Sequence, residues 1–209
     1  ISNPNCSTIQ LVIALNKIHQ EFKLKRLIIS TYQSVTGTGI KALRQMENER
    51  KGLESEKIYP HPIDLNCFPH AGDFLKNGYT TEEIKLIEET QKIFNDNNIK
   101  ITATVVRIPV IGGHSESVNI ETTRPFKINE IIKTLKNTEG VTLQDNLKKF
   151  EYPMPLTSHK KNDVFVGRVR KDNSIENGLN LWIVSDNLRK GAATNTVQIV
   201  DYIIKNNLF

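Results

Sequence analysis

The stretch Cys6-Ser-Thr-Ile-Gln-Leu-Val-Ile-Ala-Leu-Asn-Lys-Ile-His-Gln-Glu-Phe22, followed by Leu27-Ile-Ile-Ser-Thr-Tyr32, carries the first clear structural signal of the chain. In the first segment apolar side chains recur at helical spacing between Ile9 and Ile18, which predicts a helix from about 6 to 22. The second segment is a β-branched run typical of a buried strand. The chain therefore opens with a helix that leads directly into a strand.

Downstream segments alternate between helical and strand-like patterns, and several strand-like runs are adjacent in the sequence. Helices are predicted at about 40–54, 80–95, 128–136 and 190–206, and strands at 99–108, 117–121, 164–170 and 179–184. The pair Thr80 and Glu83 has the spacing of a capping box at the start of a helix. We predict an α+β fold with a mixed, mostly antiparallel sheet covered by helices.

Residues 58–79 interrupt this alternation with Pro60, Pro62, Pro69, Gly72 and Gly78. These residues favour turns and irregular backbone over helix or strand. Long irregular segments inside compact domains usually have a function or belong to an interface, and we expect one of these roles here.

The bulk composition excludes several classes of protein. With 209 residues the chain is long enough to bury a core as one large domain or two small ones. Its net charge of +5 comes from dispersed basic residues, whereas a nucleic-acid surface more often shows a dense basic stripe with interleaved aromatics. No apolar stretch is long enough to span a bilayer, so neither nucleic acid nor a membrane is an expected partner. A small anionic substrate is compatible with the charge.

Two cysteines, Cys6 and Cys67, are too few for a disulfide framework and lack the paired spacing of a zinc site. We therefore expect a reducing, cytoplasmic compartment and no metal. Cys6 has polar neighbours and begins the first predicted helix, where unpaired N–H groups and the helix dipole favour the thiolate. This position predicts a nucleophile with a lowered pKa. The alternative is a small buried hydrophobe, and Cys67 is expected to be structural.

A nucleophilic cysteine usually works with a base, and His114 is the best candidate among the five histidines. It follows the segment Arg107-Ile-Pro-Val-Ile-Gly-Gly113, in which a strand with an arginine leads through two glycines to the histidine. Glycines permit a tight turn and a close approach of a ligand to the backbone.

Two further sequence patterns are weaker evidence for a functional site. Gly37, Gly39 and Ala42 fit a dinucleotide-binding fingerprint, but no parallel strand ending in an acidic residue follows, so we infer only a sharp backbone turn. Glu82 and Lys85 lie one helical turn apart, a spacing that by itself indicates an ordinary surface ion pair.

Four segments together resemble the aspartate-semialdehyde dehydrogenases. They are Asn3-Pro-Asn-Cys-Ser-Thr8, Ser30-Thr-Tyr-Gln-Ser-Val-Thr-Gly37, Arg107 through His114, and Ser185-Asp-Asn-Leu-Arg-Lys-Gly-Ala-Ala193. The resemblance runs in order through essentially the whole chain. It implies that 1–209 is the catalytic and dimerisation domain, with the fold of the C-terminal domain of glyceraldehyde-phosphate dehydrogenase. The family's N-terminal nucleotide-binding domain is then absent, and the helix at 190–206 is expected to pack toward it.

The resemblance implies a reaction as well. It is the NADPH-dependent reductive dephosphorylation of L-aspartyl 4-phosphate to L-aspartate 4-semialdehyde, a step in the biosynthesis of lysine, methionine, threonine and diaminopimelate. Cys6 would attack the acyl phosphate and form a thioester, which hydride then converts to the aldehyde. The main NADP(H) site would lie in the absent domain, so the chain alone is expected to be inactive. Substrate, phosphate and a second copy, as a homodimer or a dimer of dimers, are the expected partners.

The remaining roles are likewise implied by the resemblance. His114 would be the acid/base partner, and Gln33 would orient the acyl group. Arg107 would bind the substrate α-carboxylate, Lys85 would bind the phosphate, and Glu82 would bind the substrate ammonium or its neighbour in the site. The residues that would lie against the cofactor are Thr36, Gly37 and Gly191. An arginine suits the carboxylate because its planar fork donates two parallel hydrogen bonds.

Two alternatives remain open at this point. One is another cysteine-thioester reductase of acyl phosphates, such as one acting on N-acetylglutamyl phosphate or glyceraldehyde-type substrates. The segments Tyr32-Gln33 and Arg107 through His114 argue against it. The other is a non-catalytic dimerisation or interaction domain, in which residues 58–79 and the exposed sheet are the important surfaces.

Overall fold

A computed structural model describes residues 1–208 and contains one six-stranded sheet. Its strands are β1 (Leu24–Ser34), β2 (Lys100–Ile108), β3 (His114–Thr122), β4 (Val141–Leu143), β5 (Val164–Asp172) and β6 (Gly178–Ser185). The strand order is β2-β1-β3-β6-β5-β4. The pairs β1–β2 and β4–β5 are parallel, and the other three are antiparallel. The predicted mixed, mostly antiparallel sheet is confirmed.

Six helices accompany the sheet in the described residues. They are α1 (Cys6–Phe22), α2 (Ile40–Arg50), α3 (Thr81–Phe94), α4 (Ile128–Lys136), α5 (Pro155–Ser158) and α6 (Thr194–Lys205), the last preceded by a π-helical turn at Arg189–Ala193. The predicted bounds of α1 and α4 match the structure. The prediction for α2 ran to residue 54 and is too long, because Gly52 adopts a left-handed φ of +68° that ends the helix. The short elements β4 and α5 were not predicted.

The main core lies between α1 and one face of the sheet. Leu11, Leu15 and Ile18 of α1 are fully buried against the sheet. Their partners are Leu27, Ile29, Val118, Ile120, Leu179, Leu181 and Ile183. Burial of each such side chain contributes roughly 1.5–3 kcal/mol, so this packing holds α1 firmly across the sheet. The start of α1 is thereby fixed above the ends of β1 and β2.

Helix α3 covers the outer edge of the sheet, where β2 is the terminal strand. The predicted capping box is confirmed: the Thr80 N–H donates to Oε2 of Glu83 at 2.7 Å, and the Glu83 N–H donates to the Thr80 hydroxyl at 3.3 Å. The second carboxylate oxygen of Glu83 accepts from the Val105 N–H at 3.0 Å. One buried carboxylate therefore caps α3 and also pairs an edge-strand donor.

The segment between α2 and α3 contains no helix or strand in the described structure, as the prolines and glycines predicted. It folds over a second, smaller apolar cluster that includes Met46, Tyr59, Ile63 and Phe68. Two side chains of α2 hold its backbone: Oε1 of Gln45 accepts from the Tyr59 N–H at 3.0 Å, and Glu49 accepts from the Ile63 N–H at 2.7 Å. The segment is irregular but anchored.

Helix α6 is different from the other long helices because none of its residues is buried. Val197, Val200, Tyr202 and Ile204 are all exposed apolar side chains on it. Among residues 1–208 none of the helices is both long and apolar enough to cross a membrane.

The capping carboxylate gives a stability prediction. Replacing Glu83 by Ala leaves the buried N–H groups of Thr80 and Val105 unpaired, which should lower the free energy of unfolding by about 3 kcal/mol. Glu88 lies exposed on the same helix, and Glu88→Ala should change it by less than about 0.5 kcal/mol. Urea unfolding of both variants measures this. Equal losses would mean that Glu83 has no special role.

Candidate active site

The candidate site lies where the start of α1 meets the ends of β1 and β2 and the start of β3. Cys6 is the first residue of α1. Its helix is capped by Asn5, whose side-chain oxygen accepts from the Ser7 N–H at 3.0 Å. An Asn at this position suits a helix start because it satisfies one of the unpaired N–H groups. The cysteine is therefore held in a fixed position, half-buried, above the sheet.

Ser34, the last residue of β1, brings two predicted site residues together. Its carbonyl oxygen accepts from Nη1 of Arg107 at 2.8 Å, and its N–H donates to Nδ1 of His114 at 3.1 Å. A Cβ placed on Gly37 would lie 3.0 Å from the His114 ring and 3.2 Å from Nη1 of Arg107. Gly37 thus allows the chain to pass directly against both side chains.

Gln33 links this group to the helix that carries the cysteine. It lies opposite Arg107 in the parallel β1–β2 register, and its Nε2 donates to the Ser7 hydroxyl at 3.0 Å. Gln33 is 1% exposed. The predicted acyl-orienting residue is consequently joined to the residue that follows Cys6.

Gly191 lies against the cysteine from the other side. It belongs to the π-helical turn before α6, and a Cβ placed on it would be 3.0 Å from Cβ of Cys6. Thr36 is hydrogen-bonded to the side chain of Asn187 at 3.1 Å. The three residues predicted to face the cofactor, Thr36, Gly37 and Gly191, therefore border the same site as Cys6 and His114.

Glu82 and Lys85 enter from the first turn of α3. Oε1 of Glu82 accepts from Nδ2 of Asn5 at 2.5 Å, which places this carboxylate beside the helix start. Nζ of Lys85 lies 3.9 Å from Oε2 of Glu82, and its side chain is 58% exposed. Glu82 and Lys85 thus form the i,i+3 ion pair that their spacing in the sequence predicted. Lys85 points to solvent at the rim of the site.

The protonation of Cys6 differs from the sequence prediction. Burial, and after it the negative charge of Glu82, raises the pKa of Cys6 to about 12. The Ser7 N–H and the charge of Arg107 act in the opposite direction but are outweighed. The predicted low pKa is therefore wrong for the ligand-free chain, because a helix start cannot offset loss of solvent together with a nearby carboxylate.

His114 is neutral in this environment. Burial, and after it the charge of Arg107, lowers the pKa of His114 to about 3. Because Nδ1 accepts from the Ser34 N–H, the proton of the neutral ring is assigned to Nε2, and Nε2 has no partner. In this state His114 can donate a hydrogen bond from Nε2, and it can accept a proton at Nδ1 only after it releases the Ser34 N–H.

Asn187 is a site residue to which no sequence pattern assigned a role, although it lies in one of the four family-like segments. Its Oδ1 accepts from the Gly113 N–H at 2.9 Å and from the Thr36 hydroxyl, while its Nδ2 is buried without a partner. Nε of Arg107 and Nε2 of His114 are also buried and unpartnered. Three unused donors in one region fit a ligand that carries oxygen acceptors. Among residues 1–208 no three His, Cys, Asp or Glu side chains converge in a way that could hold a metal.

Glu116 is a buried carboxyl behind the site. It faces α1 two residues after His114, is fully buried, and neither oxygen completes a hydrogen bond. Burial raises the pKa of Glu116 well above its usual value, and the nearby Gln10 amide opposes this only in part. Glu116 therefore remains protonated at a pH where an exposed glutamate is charged.

This protonation predicts a pH-dependent stability. Unfolded Glu116 loses its proton above about pH 4.5 whereas folded Glu116 keeps it, so the wild type loses stability as the pH rises above that value, by up to about 1.4 kcal/mol per unit. Glu116→Gln removes this loss. The melting temperature of Glu116→Gln minus that of the wild type should increase from pH 5 to pH 8. For Glu176→Gln, at an exposed position, this difference should stay constant. If the melting temperatures of Glu116→Gln and the wild type change in parallel with pH, Glu116 is not protonated in the folded chain.

The charge of Glu82 predicts the reactivity of Cys6. Iodoacetamide should alkylate Cys6 slowly at pH 7.5, and Glu82→Gln should speed the reaction about tenfold for each unit by which the pKa of Cys6 falls. Glu88→Gln on the same helix is the matched control. Cys67, expected to be structural, is exposed and serves as an internal reference for the reagent. An unchanged Cys6 rate in Glu82→Gln would refute the electrostatic coupling.

Comparison with known proteins shows the family. Residues 15–190 match the family described as semialdehyde dehydrogenase, dimerisation domain. An aspartate-semialdehyde dehydrogenase of Aquifex aeolicus is 49% identical over 214 residues, which cover 100% of this chain and 63% of the relative. One of Bacillus subtilis is 47% identical, with 100% and 64% covered.

The fold agrees with a solved structure of aspartate semialdehyde dehydrogenase II from Vibrio cholerae, complexed with ASA. The TM-score is 0.93 at 41% identity, over 98% of this chain and 62% of that one. The chain thus spans somewhat less than two thirds of the length of these relatives. It belongs to the semialdehyde dehydrogenase family, in the part that forms the dimerisation domain.

Proposed function

We propose that this chain is the catalytic and dimerisation part of an aspartate-semialdehyde dehydrogenase. The reaction is the NADPH-dependent reductive dephosphorylation of L-aspartyl 4-phosphate to L-aspartate 4-semialdehyde. The observation that carries the proposal is the arrangement around Ser34, which joins Arg107 to His114, while Gln33 of the same strand joins β1 to Ser7, the residue after Cys6. A nucleophile, a hydrogen-bond donor and a carboxylate-binding arginine meet in one partly closed site.

The proposed reaction begins at Cys6. Its sulfur attacks the acyl carbon, the bond from that carbon to the phosphate oxygen breaks, and the departing phosphate takes up the proton that the thiol gives up. The product is a thioester on Cys6. Transfer of hydride to the thioester carbon releases the aldehyde and returns the sulfur as a thiolate, which is then protonated. The Nε2–H of the neutral His114 ring is suited to donate a hydrogen bond to the acyl oxygen, on which negative charge develops when the acyl carbon is attacked.

Glu82 supplies a means of activating the thiol on substrate binding. Its charge raises the pKa of Cys6 in the ligand-free chain. If the substrate ammonium pairs with Glu82, that charge is neutralised and the thiol becomes more acidic. The substrate carboxylate would meanwhile occupy the unpartnered donors near Arg107. Binding and activation of the nucleophile are then coupled in the same event.

The glycines expected to face the cofactor pack closely against the reacting side chains. A Cβ on Gly191 would come within 3.0 Å of Cys6 and one on Gly37 within 3.0 Å of His114, so only glycine lets the backbone border the site this closely. The free Nδ2 of Asn187 offers a donor in the same region. NADPH, when bound, supplies the hydride. Thr36, Gly37 and Gly191 would hold its reactive end, and the main cofactor site belongs to sequence beyond this chain.

Two surfaces suit the partners of the whole enzyme. The exposed apolar side chains of α6 would pack toward the nucleotide-binding domain. The chain by itself is expected to be inactive, because that domain would hold the main cofactor site. The sheet face opposite α1 carries a groove of about 440 Å³ lined in part by Tyr152, Met154 and Trp182. This face, with its apolar groove, is where we place a second copy in a homodimer.

The assay uses the chain fused to the complementary N-terminal segment of a full-length relative. Phosphate-dependent reduction of NADP by L-aspartate semialdehyde should proceed in the wild-type fusion and in Cys67→Ala. Cys6→Ala should reduce the rate to background, because no thioester can form. Equal rates for Cys6→Ala and wild type would rule out the thioester route, and no turnover in any fusion would rule out the substrate.

A further inference from the structure

Arg107 is a buried cation without a counter-ion. It is 6% exposed, and no carboxylate of residues 1–208 lies within salt-bridge distance of it. Its one side-chain hydrogen bond is donated by Nη1 to the Ser34 carbonyl, and Nε is unpartnered. Burying such a charge is costly unless other groups compensate for it. The surroundings must therefore supply attraction from another source.

The aromatic ring of Tyr59 attracts the buried charge of Arg107. The central guanidinium carbon of Arg107 lies over this ring at 5.9 Å from the centroid. The face of an aromatic ring carries negative charge density, and its attraction for a cation reaches about 2 kcal/mol when both groups are desolvated. Tyr59 is buried, so its pair with Arg107 belongs to that desolvated class.

The ring itself is fixed on three sides. The Tyr59 hydroxyl donates to Oγ1 of Thr38 at 2.8 Å, and the Tyr59 N–H donates to Gln45 of α2 at 3.0 Å. The ring of Phe68 packs against it edge-on, with 5.4 Å between centroids. The position of the ring under the guanidinium is therefore set by the fold and does not depend on the arginine.

The same irregular segment also holds the backbone of Arg107. The Arg107 N–H donates to the Phe68 carbonyl at 2.9 Å, and the Phe68 N–H donates back to the Arg107 carbonyl at 3.2 Å. Residues 59–68 thus fix the arginine twice, once through its backbone and once through its guanidinium. This gives a physical role to a segment whose composition predicted only that it has a function or an interface.

We infer that Tyr59 is a positioning residue for Arg107, and that the segment between α2 and α3 sets the affinity of the site for the substrate carboxylate. The inference rests on the proposed function in assigning the carboxylate to Arg107. Without the ring, the guanidinium is no longer held in the orientation in which its fork faces the ligand. Pre-organisation of this kind lowers the ordering cost that binding must otherwise meet.

Steady-state kinetics of the fused, active enzyme test the inference. Tyr59→Leu should raise KM for L-aspartate semialdehyde by about 2- to 30-fold, the range of a cation–π contact, with KM for NADP and phosphate unchanged. Tyr59→Phe keeps the ring and should stay within about 2-fold of wild type. In an Arg107→Gln background the change from Tyr59→Leu should largely vanish, because the cation of the pair is already removed. A uniform fall in kcat, or an undiminished Tyr59→Leu effect in that background, would overturn the inference.

A second readout separates this inference from the proposed function. In the wild-type protein the Nε proton of Arg107 should resonate upfield of that of exposed Arg44, because it lies near the face of an aromatic ring. The signal should stay in Tyr59→Phe and move downfield in Tyr59→Leu. If the enzyme does not turn over L-aspartate semialdehyde, the proposed function fails while this signal still tests the pair. An unshifted wild-type signal overturns the inference, even if Tyr59→Leu does not fold.

Discussion

Arg107 places a permanent positive charge inside the fold, and no carboxylate of the described residues lies close enough to neutralise it. The arrangement of the site follows from this one charge. The Ser34 carbonyl and the Tyr59 ring stabilise it in part, while its Nε–H remains unused. A site with an uncompensated buried cation binds an anion with little reorganisation, because the attraction is already in place when the ligand arrives.

The same charge sets the protonation of its neighbours. It lowers the pKa of His114 and acts to lower that of Cys6, whereas Glu82 acts on Cys6 in the opposite direction. The thiol of Cys6 is thus protonated and the imidazole of His114 neutral, and the charge of Arg107 acts on both. A ligand with a carboxylate and an ammonium group changes both influences at once, so the chemistry of the thiol depends on what is bound.

Much of this was accessible from the amino-acid sequence. Periodicity located α1 and α4, and the resemblance of four segments to one family assigned Cys6 and Arg107 to a common site. The raised pKa of Cys6 was not accessible, because the helix-start argument is local. The pKa is raised first by burial in the surrounding fold and then by Glu82, which approaches from a distant part of the chain. Tyr59 was missed for a related reason: it lies in an irregular segment, where no periodicity indicates which side chain turns inward.

In the proposed function, Arg107 is reserved for a carboxylate. Isothermal titration of the fused enzyme without NADP tests this role directly, using L-aspartate semialdehyde and the same compound with its α-carboxylate converted to the amide. We expect saturable 1:1 binding of the acid, at least about tenfold weaker binding of the amide, and loss of this preference in Arg107→Gln. Equal affinity for acid and amide in the wild type would contradict it.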